Sequence, residues 1–144
     1  MSNPQHPSPA PISATVSTVR MAVAKLHAVT VTQADLHYVG SITIDEDLLD
    51  AAGIVPFQMV QITNQSTGAF WQTYTIAGAR GSGIISLNGS PARHFQPGDK
   101  AYVVAEGNVD PALMRSHTLN VVFVDLQNRI TKVEVQGPAG PTPA

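Results

Sequence analysis

Apolar and polar residues alternate along most of the middle of the chain. Val29 and Val31 alternate with Thr30 and Thr32, Ile42 and Ile44 flank Thr43, and Val60 and Ile62 flank Gln61. A period of two built from β-branched residues predicts half-buried strands. Tyr102-Val103-Val104-Ala105 and Leu119 to Val124 are further strand candidates. The polar stretch Asn64 to Gly68, followed by Ala69 to Ile76, predicts a hairpin. Asn88-Gly89, after the apolar run Ile84-Ile85-Ser86-Leu87, predicts a tight turn. Two stretches read as short helices. Asp45 can cap Glu46 to Ala52, with Gly53 as the stop. Asp110-Pro111 can start a helical turn reaching about Arg115. Many short strands with few helices predict a mainly β fold, a small barrel rather than a sandwich.

The alternation fails at both ends. Residues 1–19 hold Pro4, Pro7, Pro9 and Pro11 among Ser, Thr and Ala, and residues 136–144 hold Pro138, Pro141 and Pro143. Such sequence cannot bury enough apolar surface to offset its ordering, so two flexible tails are expected around one domain spanning 20–135. A chain of 144 residues suits a single domain with a sizeable core. Only 12% of residues are charged against 43% hydrophobic, which hints at surface covered by other subunits. A net charge of −2 leaves no electrostatic footprint for nucleic acid. The absence of cysteine excludes disulfides, zinc–thiolate sites and thiol nucleophiles. The five histidines are scattered without ligand spacing, so no metal is expected. No apolar run approaches the ~20 residues of a membrane span. The N-terminus lacks the basic and apolar segments of a secretory signal, so a cytoplasmic protein is expected.

The candidate chemistry lies in Ala34-Asp35-Leu36-His37-Tyr38-Val39-Gly40-Ser41-Ile42-Thr43-Ile44-Asp45. Gly40 can take strained φ/ψ values and leave its carbonyl open to the hydroxyl of Ser41. Attack there converts the amide to an ester; elimination and hydrolysis then leave a pyruvoyl group at a new N-terminus. On the dipeptide alone an ordinary turn is the simpler reading. A pyruvoyl carbonyl can act as the electron sink that amino-acid decarboxylation needs, the task usually given to pyridoxal phosphate. No recognisable pyridoxal-phosphate lysine motif or phosphate cradle is present.

The flanking residues tip the balance. Lys25-x-His27, the string A-D-L-H-Y-x-G-S ending at Ser41, and D-x-D-L-x-D-A-A-G-I from Asp45 to Ile54 resemble the pyruvoyl-dependent aspartate 1-decarboxylase family. Thr73-Tyr74, Arg80-Gly81-Ser82, Asn88-Gly89 and Pro97-Gly98-Asp99 follow in order, so the resemblance runs from about Met21 to about Val124. It implies a double-psi β-barrel with a few short helices, assembled as a homotetramer, with Pro97-Gly98-Asp99 as one of its turns. It implies self-cleavage between Gly40 and Ser41, a covalent pyruvoyl cofactor made from Ser41, and conversion of aspartate to β-alanine and carbon dioxide for pantothenate synthesis. Whether cleavage is spontaneous or needs a maturation factor stays open.

By the same resemblance, Thr73 assists cleavage by donating to the Gly40 carbonyl, and Tyr74 returns a proton to the decarboxylated intermediate. Lys25 meets a substrate carboxylate, with His27 on the same side of the strand. Tyr38 completes the wall, and Asn88, Gly89 and Ser90 contact the site through amide groups. Each has a plainer reading: a strand threonine, a packed aromatic, a solvated lysine, a hydrogen-bonded histidine, an Asn-Gly turn.

Three departures bear on substrate. The family arginine that clamps a carboxylate is Phe70 here, an aromatic found in some members is Thr63, and Asn-Gly-Ala-Ala-Ala-His reads Asn88-Gly89-Ser90-Pro91-Ala92-Arg93. Phenylalanine offers neither the charge nor the fork of an arginine, and Pro91 removes a backbone N–H. Arg80 or Arg93 could restore the charge. Two alternatives therefore stand: a diverged decarboxylase of another amino acid, and an uncleaved barrel acting as a binding partner.

Overall fold

The computed structural model describes residues 17–38 and 40–141. Nine strands form one mixed sheet: β1 (Val19–Thr30), β2 (Gln33–Asp35), β3 (Ser41–Asp45), β4 (Met59–Asn64), β5 (Phe70–Gly78), β6 (Ile85–Asn88), β7 (Lys100–Val109), β8 (Leu119–Val124) and β9 (Ile130–Gln136). Their order is β2-β6-β3-β5-β4-β7-β1-β8-β9. Parallel pairs (β1 with β8, β2 with β6, β3 with β5) are interleaved with antiparallel ones. The fold is mainly β, in keeping with a double-psi barrel. The predicted alternation is the sheet's inside and outside. Leu26, Val29, Ile42, Ile44, Val60, Ile62, Ile85, Leu87 and Val103 fill one core around the fully buried Phe95.

The helix α1 (Glu46–Ala52) is the one the sequence predicts. The Asp45 carboxylate accepts from Asp47 N–H, satisfying a free first-turn donor, and Gly53 closes the helix at φ 78°. Asp45 also accepts from Gly81 N–H at 3.1 Å and Gly83 N–H at 2.8 Å, so one buried carboxylate ties the helix to the β5–β6 connection. Arg80 lies over the helix, paired with Glu46 at 3.1 Å, Asp47 at 3.0 Å and Asp50 at 2.6 Å.

Two local expectations need correction. Residues after Asp110 form successive turns, not a helix: Ala112 N–H donates to the Asp110 side chain and Leu113 N–H to the Asp110 carbonyl. The aspartate side chain takes the i+2 amide while its carbonyl takes the i+3 amide, which closes a turn in place of a helix. Asn88-Gly89 is not a hairpin turn; Gly89 leads into a 3₁₀ turn over Ser90–Arg93 that Pro91 starts well. The hairpin joining β4 to β5 forms as expected, with Thr63 opposite Phe70. The tail expectations fall mostly on residues 1–16 and 142–144, outside the described residues. The sheet itself runs from Val19 to Gln136.

Candidate active site

Register places the candidate chemistry on the face of β2, β6, β3 and β5 opposite the core. Ser41 stands opposite Asn88, and Thr43 opposite Ser86. Across the next pair, Asp35 stands opposite Asn88 and Gln33 opposite Ser86. Residues directly opposite share a face. Ile42 pairs with Thr75, which brings Tyr74, one residue earlier, to the Ser41 side.

Two observations meet at the Gly40–Ser41 peptide. The Tyr74 hydroxyl donates to the Gly40 carbonyl oxygen at 3.2 Å. Beside it, Ser41 Oγ is buried and has no hydrogen-bond partner among the described residues. A buried hydroxyl left unpaired costs roughly 1–3 kcal/mol and calls for a reason. The residue the family resemblance puts on that carbonyl, Thr73, lies opposite the buried Val60, on the other face of β5 from Tyr74. Gly40 itself is outside the left-handed region, and a Cβ there would meet only Asn88 O at 3.8 Å. The strained glycine is instead Gly89, at φ 76°, where a Cβ would come within 3.0 Å of Gly40 Cα. Gly89 permits β6 to press against the Gly40 backbone.

A polar chain fixes Asn88. Ser86 Oγ donates to Asn88 Oδ1 at 2.8 Å, which leaves the Asn88 amide as donor toward Thr43 Oγ1 at 3.3 Å. With Gln33, Tyr38 and Ile84 these residues line a cleft of about 220 Å³. Tyr38 is exposed at its rim, and Ser90 is exposed just past Gly89.

Lys25 and His27 are elsewhere. They project from β1, four strands from β3 in the sheet order. Lys25 Nζ lies 5.0 Å over the ring of Tyr102, and His27 packs between Tyr102 and Phe123 at 5.1 and 5.0 Å. Burial first, and the Lys25 charge second, hold His27 below its ordinary pKa. Register continues the row outward: Thr63 pairs with both Tyr102 and Phe70. Phe70 is 55% exposed on that face. The candidate residues therefore fall into two clusters, one at Gly40–Ser41 and one at Lys25. Arg80 does not supply a charge to either, being held by three carboxylates of α1.

The aspartate decarboxylase family profile matches residues 17–131. The chain belongs to this family. It is 50% identical over 121 residues to the aspartate 1-decarboxylase of Heliobacterium modesticaldum, covering 82% of this chain and 92% of that protein. It is 51% identical over 115 residues to the one of Bacillus pumilus, covering 80% and 91%. The one of Carboxydothermus hydrogenoformans is 51% identical over 118 residues, covering 82% and 93%. The sequence did not single out Tyr102 and Phe123 around Lys25, or Thr43, Ser86 and Phe57 around Gly40–Ser41. The first four are ordinary strand residues until register is known. Phe57 did carry a signal, since it directly follows Pro56, a residue that favours the second position of a turn.

Proposed function

We propose that this chain is a self-cleaving, pyruvoyl-dependent aspartate 1-decarboxylase, a cytoplasmic enzyme that converts L-aspartate to β-alanine and carbon dioxide for pantothenate synthesis. The observation that carries this reading is the Tyr74 hydroxyl on the Gly40 carbonyl beside an unpartnered Ser41 hydroxyl. A donor on that oxygen stabilises the charge that develops as Ser41 Oγ attacks the carbonyl carbon. The new Oγ–C bond replaces the Gly40 C–N bond, and the freed nitrogen takes up the hydroxyl proton. Elimination then removes the Ser41 Cα proton and breaks the Cβ–Oγ bond, which releases Gly40 as a carboxylate and leaves an enamine that becomes an imine as Cβ takes up a proton. Water displaces the nitrogen as ammonia, leaving the keto group at position 41. The buried Ser41 side chain fits that fate, since among the described residues no hydrogen bond depends on its hydroxyl.

The pyruvoyl carbonyl supplies the electron sink for decarboxylation. Around it, Tyr74 holds a phenolic proton on the same face, in place to return it to the substrate carbon. Asn88 offers an amide donor whose orientation Ser86 fixes. Lys25, with His27 beside it on β1, supplies the positive charge for a substrate carboxylate. The separation of the two clusters supports delivery of Lys25 from a neighbouring copy in a homotetramer.

An intact-mass spectrum under denaturing conditions tests this. Fragments 1–40 and 41–144 are expected, the second lighter by one ammonia than its serine-ended form, and Ser41→Ala should stay whole. A single uncut wild-type chain, unchanged by a cell extract that could hold a maturation factor, would overturn the proposal in favour of a binding barrel.

Phe70 favours a second reading, in which the substrate is a less acidic amino acid. Rates on aspartate beside a panel of neutral amino acids separate the two, and a clear preference for aspartate removes the second.

A further inference from the structure

Phe57 occupies a backbone position that a phenylalanine should avoid. Its φ is 70°, in the left-handed region. For a bulky residue this is an outlier. The local geometry explains why the position is left-handed. Gln58 N–H donates to the Val55 carbonyl at 3.1 Å, closing a four-residue turn. Pro56 is at its second position and Phe57 at its third, the arrangement of a type II turn, whose third position calls for glycine or asparagine.

The ring is not there to fill the core, because Phe57 is 74% exposed. It packs against one described ring, Tyr74, at 5.9 Å between centroids and an interplanar angle of 54°. The turn is pinned to β5 around that tyrosine. Phe57 N–H donates to the Thr75 carbonyl at 2.8 Å, Thr75 N–H to Gln58 O at 3.1 Å, and Thr75 Oγ1 to Val55 O at 3.0 Å. The Gln58 side chain accepts from Val55 N–H at 3.1 Å and donates to Glu106 O at 3.0 Å. A strained residue persists where its surroundings over-determine it, and such residues gather at working sites.

We propose that Phe57 is a positioning residue for Tyr74: its ring forms a wall that holds the phenol over the Gly40–Ser41 peptide. This rests on the assignment of Tyr74 to the chemistry. The wall restricts the tyrosine to the rotamer that reaches the Gly40 carbonyl and shields the phenol's flank from water. The strain and the exposure of an aromatic ring are then the cost of that placement.

Phe57→Asn tests the proposal, since asparagine suits a left-handed turn position and the variant should fold. It is expected to melt at the same temperature as the wild type or higher, to cleave at 40/41 about tenfold more slowly, and to lose kcat in the cleaved enzyme with KM little changed. Phe57→Tyr should restore both rates, and Phe57→Leu, strained but ringless, should not. A residue with only a structural role would give the opposite pattern, a lower melting temperature with rates unaffected. Wild-type rates in Phe57→Asn would overturn the inference. A wild-type chain that never cleaves would instead overturn the proposed function.

Discussion

At the scale of single residues, the site combines groups that sequence could name with groups it could not rank. Gly40, Ser41, Tyr74 and Asn88 were legible as candidates because they fall within strings that resemble a family. Their division of labour was not, because β5 puts Thr73 and Tyr74 on opposite faces and only register shows which hydroxyl reaches Gly40 O. Phe70 makes a residue-scale prediction. Phe70→Arg should lower KM for aspartate about tenfold or more, as a charge-assisted pair replaces an aromatic; steady-state kinetics on aspartate would read it. His27 makes another. Its folded-state pKa lies below its unfolded one, so the unfolded chain binds more protons between those values, and stability rises with pH there. Acidification through the region around pH 6.5 should therefore lower the melting temperature, and His27→Gln should flatten that slope. Thermal melts of both proteins from pH 7 to pH 5 measure it.

At the scale of elements, sequence signals held where one local interaction decides the outcome. Asp45 and Gly53 bound α1 because each satisfies or relieves a specific terminal group. They failed where a side chain or a neighbour redirected the chain, as Asp110 does through its carboxylate and Gly89 does beneath Gly40. Asp45→Ala removes an acceptor shared by Asp47, Gly81 and Gly83 amides, and should cost about 2–4 kcal/mol in urea unfolding. Gly89→Ala forces a Cβ into the left-handed region against Gly40. It should cost about 1–2 kcal/mol and also slow cleavage, which gel analysis of the processing time course would report.

At the scale of the whole molecule, the mainly β character was readable from alternation, but β2, β9 and the order of the strands were not. Parallel pairs such as β1 with β8 join residues nearly a hundred positions apart, and no local pattern encodes them. The proposed delivery of Lys25 from a neighbouring copy predicts that mixing Lys25→Ala with Ser41→Ala protein and reassembling them restores decarboxylase activity absent from either alone. The same order has a consequence for how the molecule comes apart. β1 lies between β7 and β8, with Leu26 and Val29 in the core, and belongs to the segment that precedes Gly40. A cut after Gly40 makes that strand a guest held by contacts alone. Folding of the uncut chain is a first-order search, whereas the cut protein, once melted, must find its first strand again as a separate solute. Its melting becomes dependent on concentration and slow to reverse, so processing would set a ratchet that keeps a matured molecule functional only for as long as it never unfolds.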